Sequence, residues 1–204
     1  MSSKTLLFIS VAFIGILVKK CLDTVEFISL PHGFTFNDDH CELAGVGLGM
    51  IGSEDMALGK HSVLFVTSGD LKSVFEHGAA SATPGGLWVY DMRSGGSPNP
   101  IKLELESFPS NKRFQGHGLD VSNSTDRVYA ISHNGPDSSV DIFQILYHDE
   151  CLASLPWSCN PVSLLFFNSV SSSLFPNSGI NDVIEAGPNQ VYVTQWQPFP
   201  FPSR

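Results

Sequence analysis

Three short acidic segments recur along this chain, and each holds oxygen donors of the kind that bind a hard cation. They are Gly52-Ser53-Glu54-Asp55, Gly116-His117-Gly118-Leu119-Asp120 and Gly179-Ile180-Asn181-Asp182. Carboxylates and amide carbonyls suit calcium, which takes about six to eight oxygen ligands. A bound calcium can polarise a carbonyl and stabilise the oxyanion that forms on attack. His117 lies inside the middle segment, and His133 follows the next apolar run. An imidazole titrates near pH ~6.5, so a histidine beside a metal-bound carbonyl is the natural base to take a proton from water. The pattern points to hydrolysis assisted by a hard cation.

Something must bring these distant segments together. Each reads as a Gly-containing polar turn ending in an acid, and each stands eight or nine residues ahead of a β-branched and aromatic run. Those runs are Val63–Thr67, Val128–Ser132 and Val191–Thr194, and their starts lie 65 and then 63 residues apart. Short alternating segments at 62–67, 86–91, 127–132, 140–147, 162–168 and 190–194 predict strands, separated by Gly, Pro, Ser and Asn clusters. No stretch carries a long helical period. A repeated unit of several strands predicts an all-β protein of the β-propeller type, with long inter-strand loops because the period exceeds the usual ~40–50 residues. Blades are arranged radially, so equivalent turns meet near the axis. Asp and Asn are also ordinary turn formers. Three matching turns nevertheless argue for one shared site that gathers Glu54, Asp55, His117, Asp120, Asn181 and Asp182.

Composition narrows the class. The chain has 204 residues, enough for one all-β domain, with 42% hydrophobic and 15% charged residues. The formal charge is −9. A nucleic-acid binder needs a basic footprint, and none is present. Gly47-Leu48-Gly49-Met50-Ile51-Gly52 matches a dinucleotide-binding pattern, but that motif needs a strand before it and a helix after it. Neither is predicted here. Nucleophile-elbow, H-E-x-x-H and C-x-x-C motifs are absent, so serine-hydrolase and zinc chemistries lack support.

The N-terminus is a targeting signal in pattern. Lys4 precedes the apolar run Thr5–Val18, and Lys19 and Lys20 close it. Its 14 residues match a signal h-region and fall short of a spanning helix. No small-residue cleavage site follows, so residues 1–20 are expected to remain as an uncleaved signal or anchor, with a partial propeller over 21–204. That places the protein in the secretory pathway, outside the cell or tethered to a membrane or lipoprotein surface. Asn123-Ser124-Thr125 is an N-glycosylation sequon in a polar turn. Four cysteines, Cys21, Cys41, Cys151 and Cys159, allow several pairings in an oxidising compartment, and Cys151 and Cys159 are close enough for a local bridge.

At these residues the sequence resembles the serum paraoxonase/arylesterase family. Gly52-Ser53-Glu54-Asp55-Met56 resembles that family's first calcium segment, and Phe114-Gln115-Gly116-His117-Gly118-Leu119 its catalytic histidine segment. Ala130-Ile131-Ser132-His133-Asn134-Gly135-Pro136 resembles the region of its second histidine, and residues 181–188 its second calcium segment. The resemblance implies a six-bladed β-propeller with two calcium ions in the channel, acting on small aryl esters and lactones. It implies Glu54 and Asn181 as ligands of a catalytic calcium. Asp55, Asp182 and the Leu119 backbone carbonyl would hold a structural calcium, with His117 as general base and His133 as its dyad partner. It further implies that the chain stops a little over halfway through a family member. The later blades would then be missing, along with further ligands of the catalytic calcium and a C-terminal cysteine that would pair with Cys41. A non-catalytic calcium-binding propeller fragment or interaction module is the alternative expectation.

Overall fold

The computed structural model describes residues 44–45, 47–93, 99–134, 137–171, 179–187 and 189–197. They belong to a unit that runs from Leu43 to Arg204. The N-terminal apolar run, Cys21, Cys41 and the Pro-rich tail lie outside the described residues.

Strands dominate. β1 (Ser53–Leu58), β2 (Val63–Ser68), β3 (Gly86–Asp91) and β4 (Ile101–Lys102) form a four-stranded antiparallel meander in chain order. β6 (Gly116–Ser122), β7 (Arg127–Asn134), β8 (Asp137–Tyr147) and β9 (Val162–Val170) form a second antiparallel meander. Its outer edge is closed by β5 (Leu105–Glu106), which runs parallel to β9. β10 (Gly179–Gly187) and β11 (Gln190–Gln197) pair as the start of a third sheet. Sheets opening at Ser53, Gly116 and Gly179 recur every 63 residues. The fold is all-β and propeller-like, as the spacing predicted.

Side-chain alternation explains how the sheets stack. Along β7, Val128 and Ala130 face one way and Tyr129 and Ile131 the other, because strand side chains alternate between faces. The first face joins a core with Val63 and Phe65 of β2, Leu87 and Val89 of β3, and Phe143 and Ile145 of β8. The second packs on Ile180 and Val183 of β10 and Val191 of β11. The middle sheet is thus buried on both sides, which is why β7 reads as an almost continuous apolar run. Each such buried side chain contributes about 1.5–3 kcal/mol.

Two short helices interrupt the strands. α1 (Leu71–His77) lies between β2 and β3, and Asp70 caps it by accepting from Ser73 N–H at 3.3 Å. α2 (Asp149–Leu152) lies in the loop from β8 to β9, where Cys151 and Cys159 form a disulfide. The local bridge expected from their spacing is therefore present. The glycine-rich stretch at 47–52 leads into strand β1 and no helix follows it, so it has no dinucleotide-binding context.

One expectation is corrected. The three acidic segments are not turns. They lie in strands β1, β6 and β10, the first strands of the three sheets. His133 likewise lies within β7 rather than after it.

Candidate active site

The acidic segments are hidden strands because each carries a bulge. Register shifts fall between Ser53 and Met56 in β1, between Gly116 and Leu119 in β6, and between Ile180 and Val183 in β10. Those intervals hold Glu54 and Asp55, His117 and Gly118, and Asn181 and Asp182. A bulge breaks alternation and re-aims side chains, and bulges are common beside active sites. The same irregularity therefore places the functional residues in all three sheets.

Glycine lets these strands touch. A Cβ on Gly118 would stand 2.5 Å from the Asn181 carbonyl oxygen and 2.8 Å from Asp182 Oδ1. A Cβ on Gly69, just past β2, would stand 2.7 Å from the Gly116 carbonyl oxygen. The Thr67 hydroxyl donates to the His117 carbonyl, tying β2 to β6.

Two linked groups result. In the first, His117 Nε2 faces Glu54 Oε2 at 3.9 Å, and His117 Nδ1 lies 2.9 Å from His133 Nε2. His133 Nδ1 lies 2.8 Å from Ser138 Oγ. Burial lowers the His117 pKa below the usual imidazole range, while Glu54, Asp55 and Asp182 pull the other way. Burial and the neighbouring His117 push His133 down to about 4. Both rings are therefore neutral near pH 7.

In the second group, Asp55 Oδ2 accepts from the Leu119 N–H at 2.8 Å, and Asp55 Oδ1 from the Met56 N–H at 2.8 Å. Asp182 Oδ1 accepts from the Val183 N–H at 2.8 Å. Asp120 accepts from the Val121 and Glu185 N–H groups, at 2.8 and 2.7 Å. Burial raises the Asp182 pKa, and Asp55, with which it hydrogen-bonds, and Asp120 raise it further. Two carboxyl groups in hydrogen-bond contact must share a proton or a cation. All donors here are hard oxygens, so the pair fits a calcium-like ion. No three His, Cys, Asp or Glu side chains stand together at metal-holding spacing among the described residues. Carbonyl or water oxygens would have to complete any shell.

All the predicted residues thus lie at or beside the converging bulges. Leu119 meets Asp55 through its N–H. Asn181 approaches β6 through its backbone carbonyl. Asn123 is exposed in the turn between β6 and β7, open to modification. Sequence reading missed two residues. Ser138 completes the imidazole string, and Gln115 joins the first sheet to the second. Neither carries a motif, and only strand register reveals them.

Repeated antiparallel sheets whose first strands converge on a histidine pair and crowded carboxylates define a propeller-type protein with a hydrolase-like centre. The arylesterase family profile matches residues 37–201. Serum paraoxonase/lactonase 3 of Rattus norvegicus is 26% identical over 147 residues, covering 71% of this chain and 37% of that relative. Serum paraoxonase/arylesterase 2 of Bos taurus is 27% identical over 146 residues, covering 70% and 37%. The chain belongs to the arylesterase (paraoxonase) family, and it spans 37% of the length of these curated relatives.

Proposed function

We propose that this chain carries the hydrolytic centre of a calcium-dependent arylesterase or lactonase. The observation that carries the reading is the string Glu54, His117, His133, assembled from β1, β6 and β7 by two bulged strands and one ladder. Family membership supports ester or lactone hydrolysis, since the relatives are named for those activities.

His117 is the general base in this reading. Burial keeps it neutral, so Nε2 can accept a proton from water as the water attacks an ester or lactone carbonyl. Glu54 faces the same nitrogen and stabilises the imidazolium that follows. His133 holds the ring in place through His117 Nδ1. Glu54 and Asn181 would hold a catalytic calcium. Asp55, Asp182 and Leu119 would hold a structural one. Calcium, when bound, supplies carbonyl polarisation and oxyanion stabilisation. The substrate class is a small uncharged ester or lactone. The Cys151–Cys159 disulfide supports a secretory setting. Attachment to a membrane or lipoprotein surface through residues 1–20 belongs to the same proposal.

The test is hydrolysis of phenyl acetate and a simple lactone by the purified chain, first in calcium and then in excess chelator. Turnover should vanish with chelator, and His117→Asn should reduce it by roughly 10²–10⁴-fold, the range a positioned base supplies. Equal rates in the His117→Asn protein would sink the assignment. A calcium-bound chain with no turnover would favour the non-catalytic reading, which the limited span relative to the relatives motivates.

A further inference from the structure

Ser138 stands directly across the ladder from His133 in the β7–β8 register. Cross-strand partners leave the same face of a sheet, which brings the hydroxyl to the far side of the imidazole. The string then reads His117 Nδ1 to His133 Nε2 at 2.9 Å, and His133 Nδ1 to Ser138 Oγ at 2.8 Å.

With both rings neutral, protons can occupy this string in two ways. In one, His133 Nδ1–H donates to Ser138 Oγ. His133 Nε2 is then bare and accepts from His117 Nδ1–H, so His117 Nε2 carries a lone pair. In the other, Ser138 donates to His133 Nδ1. His133 Nε2–H then donates to His117 Nδ1, and His117 Nε2 carries the proton. Only the first arrangement leaves His117 able to take a proton from water.

Resting on the hydrolytic reading above, we infer that Ser138 is a positioning residue: its oxygen accepts from His133 and so selects the His117 tautomer whose Nε2 is a free base. The surroundings leave His133 no alternative. It is 1% exposed, so bulk water does not replace the hydroxyl. Its backbone N–H donates to the Gln115 carbonyl at 3.0 Å, and the Phe75 ring of α1 meets its edge with centroids 5.6 Å apart. The ring is held where Ser138 is the partner of Nδ1. Without that oxygen, a protonated Nδ1 would be a buried donor with no acceptor, and the other tautomer takes over.

The test uses the full chain, loaded with calcium and labelled with ¹⁵N-histidine, as wild type, Ser138→Ala and Ser138→Thr. NMR of the ring nitrogens reads the tautomer, and steady-state hydrolysis reads kcat and KM. Wild type and Ser138→Thr should show a bare His117 Nε2. Ser138→Ala should show it protonated, with kcat down by roughly 10²-fold and KM unchanged, as expected when a base is disabled and binding is not. An unchanged tautomer in Ser138→Ala overturns the inference, as does an undiminished kcat. Should the alanine protein fail to fold, the isosteric pair Ser138→Val and Ser138→Thr gives the same comparison. If wild type hydrolyses nothing, the hydrolytic reading falls and the tautomer alone decides: a switch in Ser138→Ala upholds the role of Ser138, and no switch removes it.

Discussion

Gln115 is fully buried and uses both ends of its amide. Its Oε1 accepts from the Asp70 N–H at 3.0 Å, and its Nε2 donates to the Thr83 carbonyl at 2.9 Å. Its backbone joins the second sheet, accepting from His133 N–H and donating to Ser132 Oγ at 3.1 Å. One residue therefore fastens the α1 loop of the first sheet to the histidine pair of the second. Gln115→Leu keeps the volume and removes both side-chain bonds. It should cost about 2–4 kcal/mol, because two partly buried backbone groups lose their partner. Chemical denaturation measures this; a loss within about 0.5 kcal/mol would class the site with ordinary surface positions and deny the fastening role. Glu54, Asp55, His117, Asn181 and Asp182 were legible because carboxylates, amides and imidazoles advertise their chemistry. Gln115 and Ser138 were not, since a buried amide or hydroxyl is defined by its neighbours rather than by its type.

Between elements, the largest single tie outside the site is Arg93. Its guanidinium pairs with Asp91 at 2.7 and 2.8 Å and donates to the Leu152 and Ser154 carbonyls, at 2.6 and 2.8 Å. It also lies over the Trp157 ring at 5.6 Å. It thus fixes the end of β3 to the disulfide loop around α2. Asp91 is buried, so removing the cation strands a carboxylate. Arg93→Met should destabilise by about 2–3 kcal/mol, below the range for a fully buried pair because the guanidinium is partly exposed. The pair also sets a pH dependence. Hydrogen bonds from Arg93 lower the Asp91 pKa below the ordinary carboxylate range. A depressed folded pKa gives stability that is present above the unfolded value of about 4 and lost as pH falls through the lower, folded one. Wild type should therefore lose this contribution in acid, and Arg93→Met should show a flatter acid limb in melting temperature against pH. Parallel limbs would mean that the pair does not contribute. The strands of this level were legible where alternation was clean, as in β2, β3, β7, β8, β9 and β11. β1, β6 and β10 were read as turns because their bulges break the period of two and their residues are polar. α1 was missed because seven residues give too short a period to see.

At the scale of the whole molecule, the three sheets meet where their charges are worst placed. Asp55 comes from the first sheet, Asp120 from the second and Asp182 from the third, and the close approach at Gly118 leaves them little room to separate. The 63-residue recurrence made this convergence readable from sequence, since radial sheets bring equivalent strands together. What it could not give was the electrostatic penalty, which depends on separations fixed by the bulges. That penalty appears at Asp182, whose charged form is disfavoured by burial, Asp55 and Asp120. A cation shared by these oxygens would turn a repulsive junction into a clamp across all three sheets. The prediction has two opposed signs. In calcium at about 100 times its dissociation constant, wild type should gain about 2.7 kcal/mol of stability, the value for any ligand that binds only the folded state. Asp182→Asn removes one crowded charge and one ligand. In chelator it should melt above wild type, because repulsion is relieved. In calcium it should melt below wild type, because the clamp is weakened. Melting curves of both proteins in both buffers decide the matter. Curves that cross in this way tie the carboxylate cluster to a cation, whereas an Asp182→Asn protein less stable than wild type in chelator would show that Asp182 contributes through its own hydrogen bonds instead.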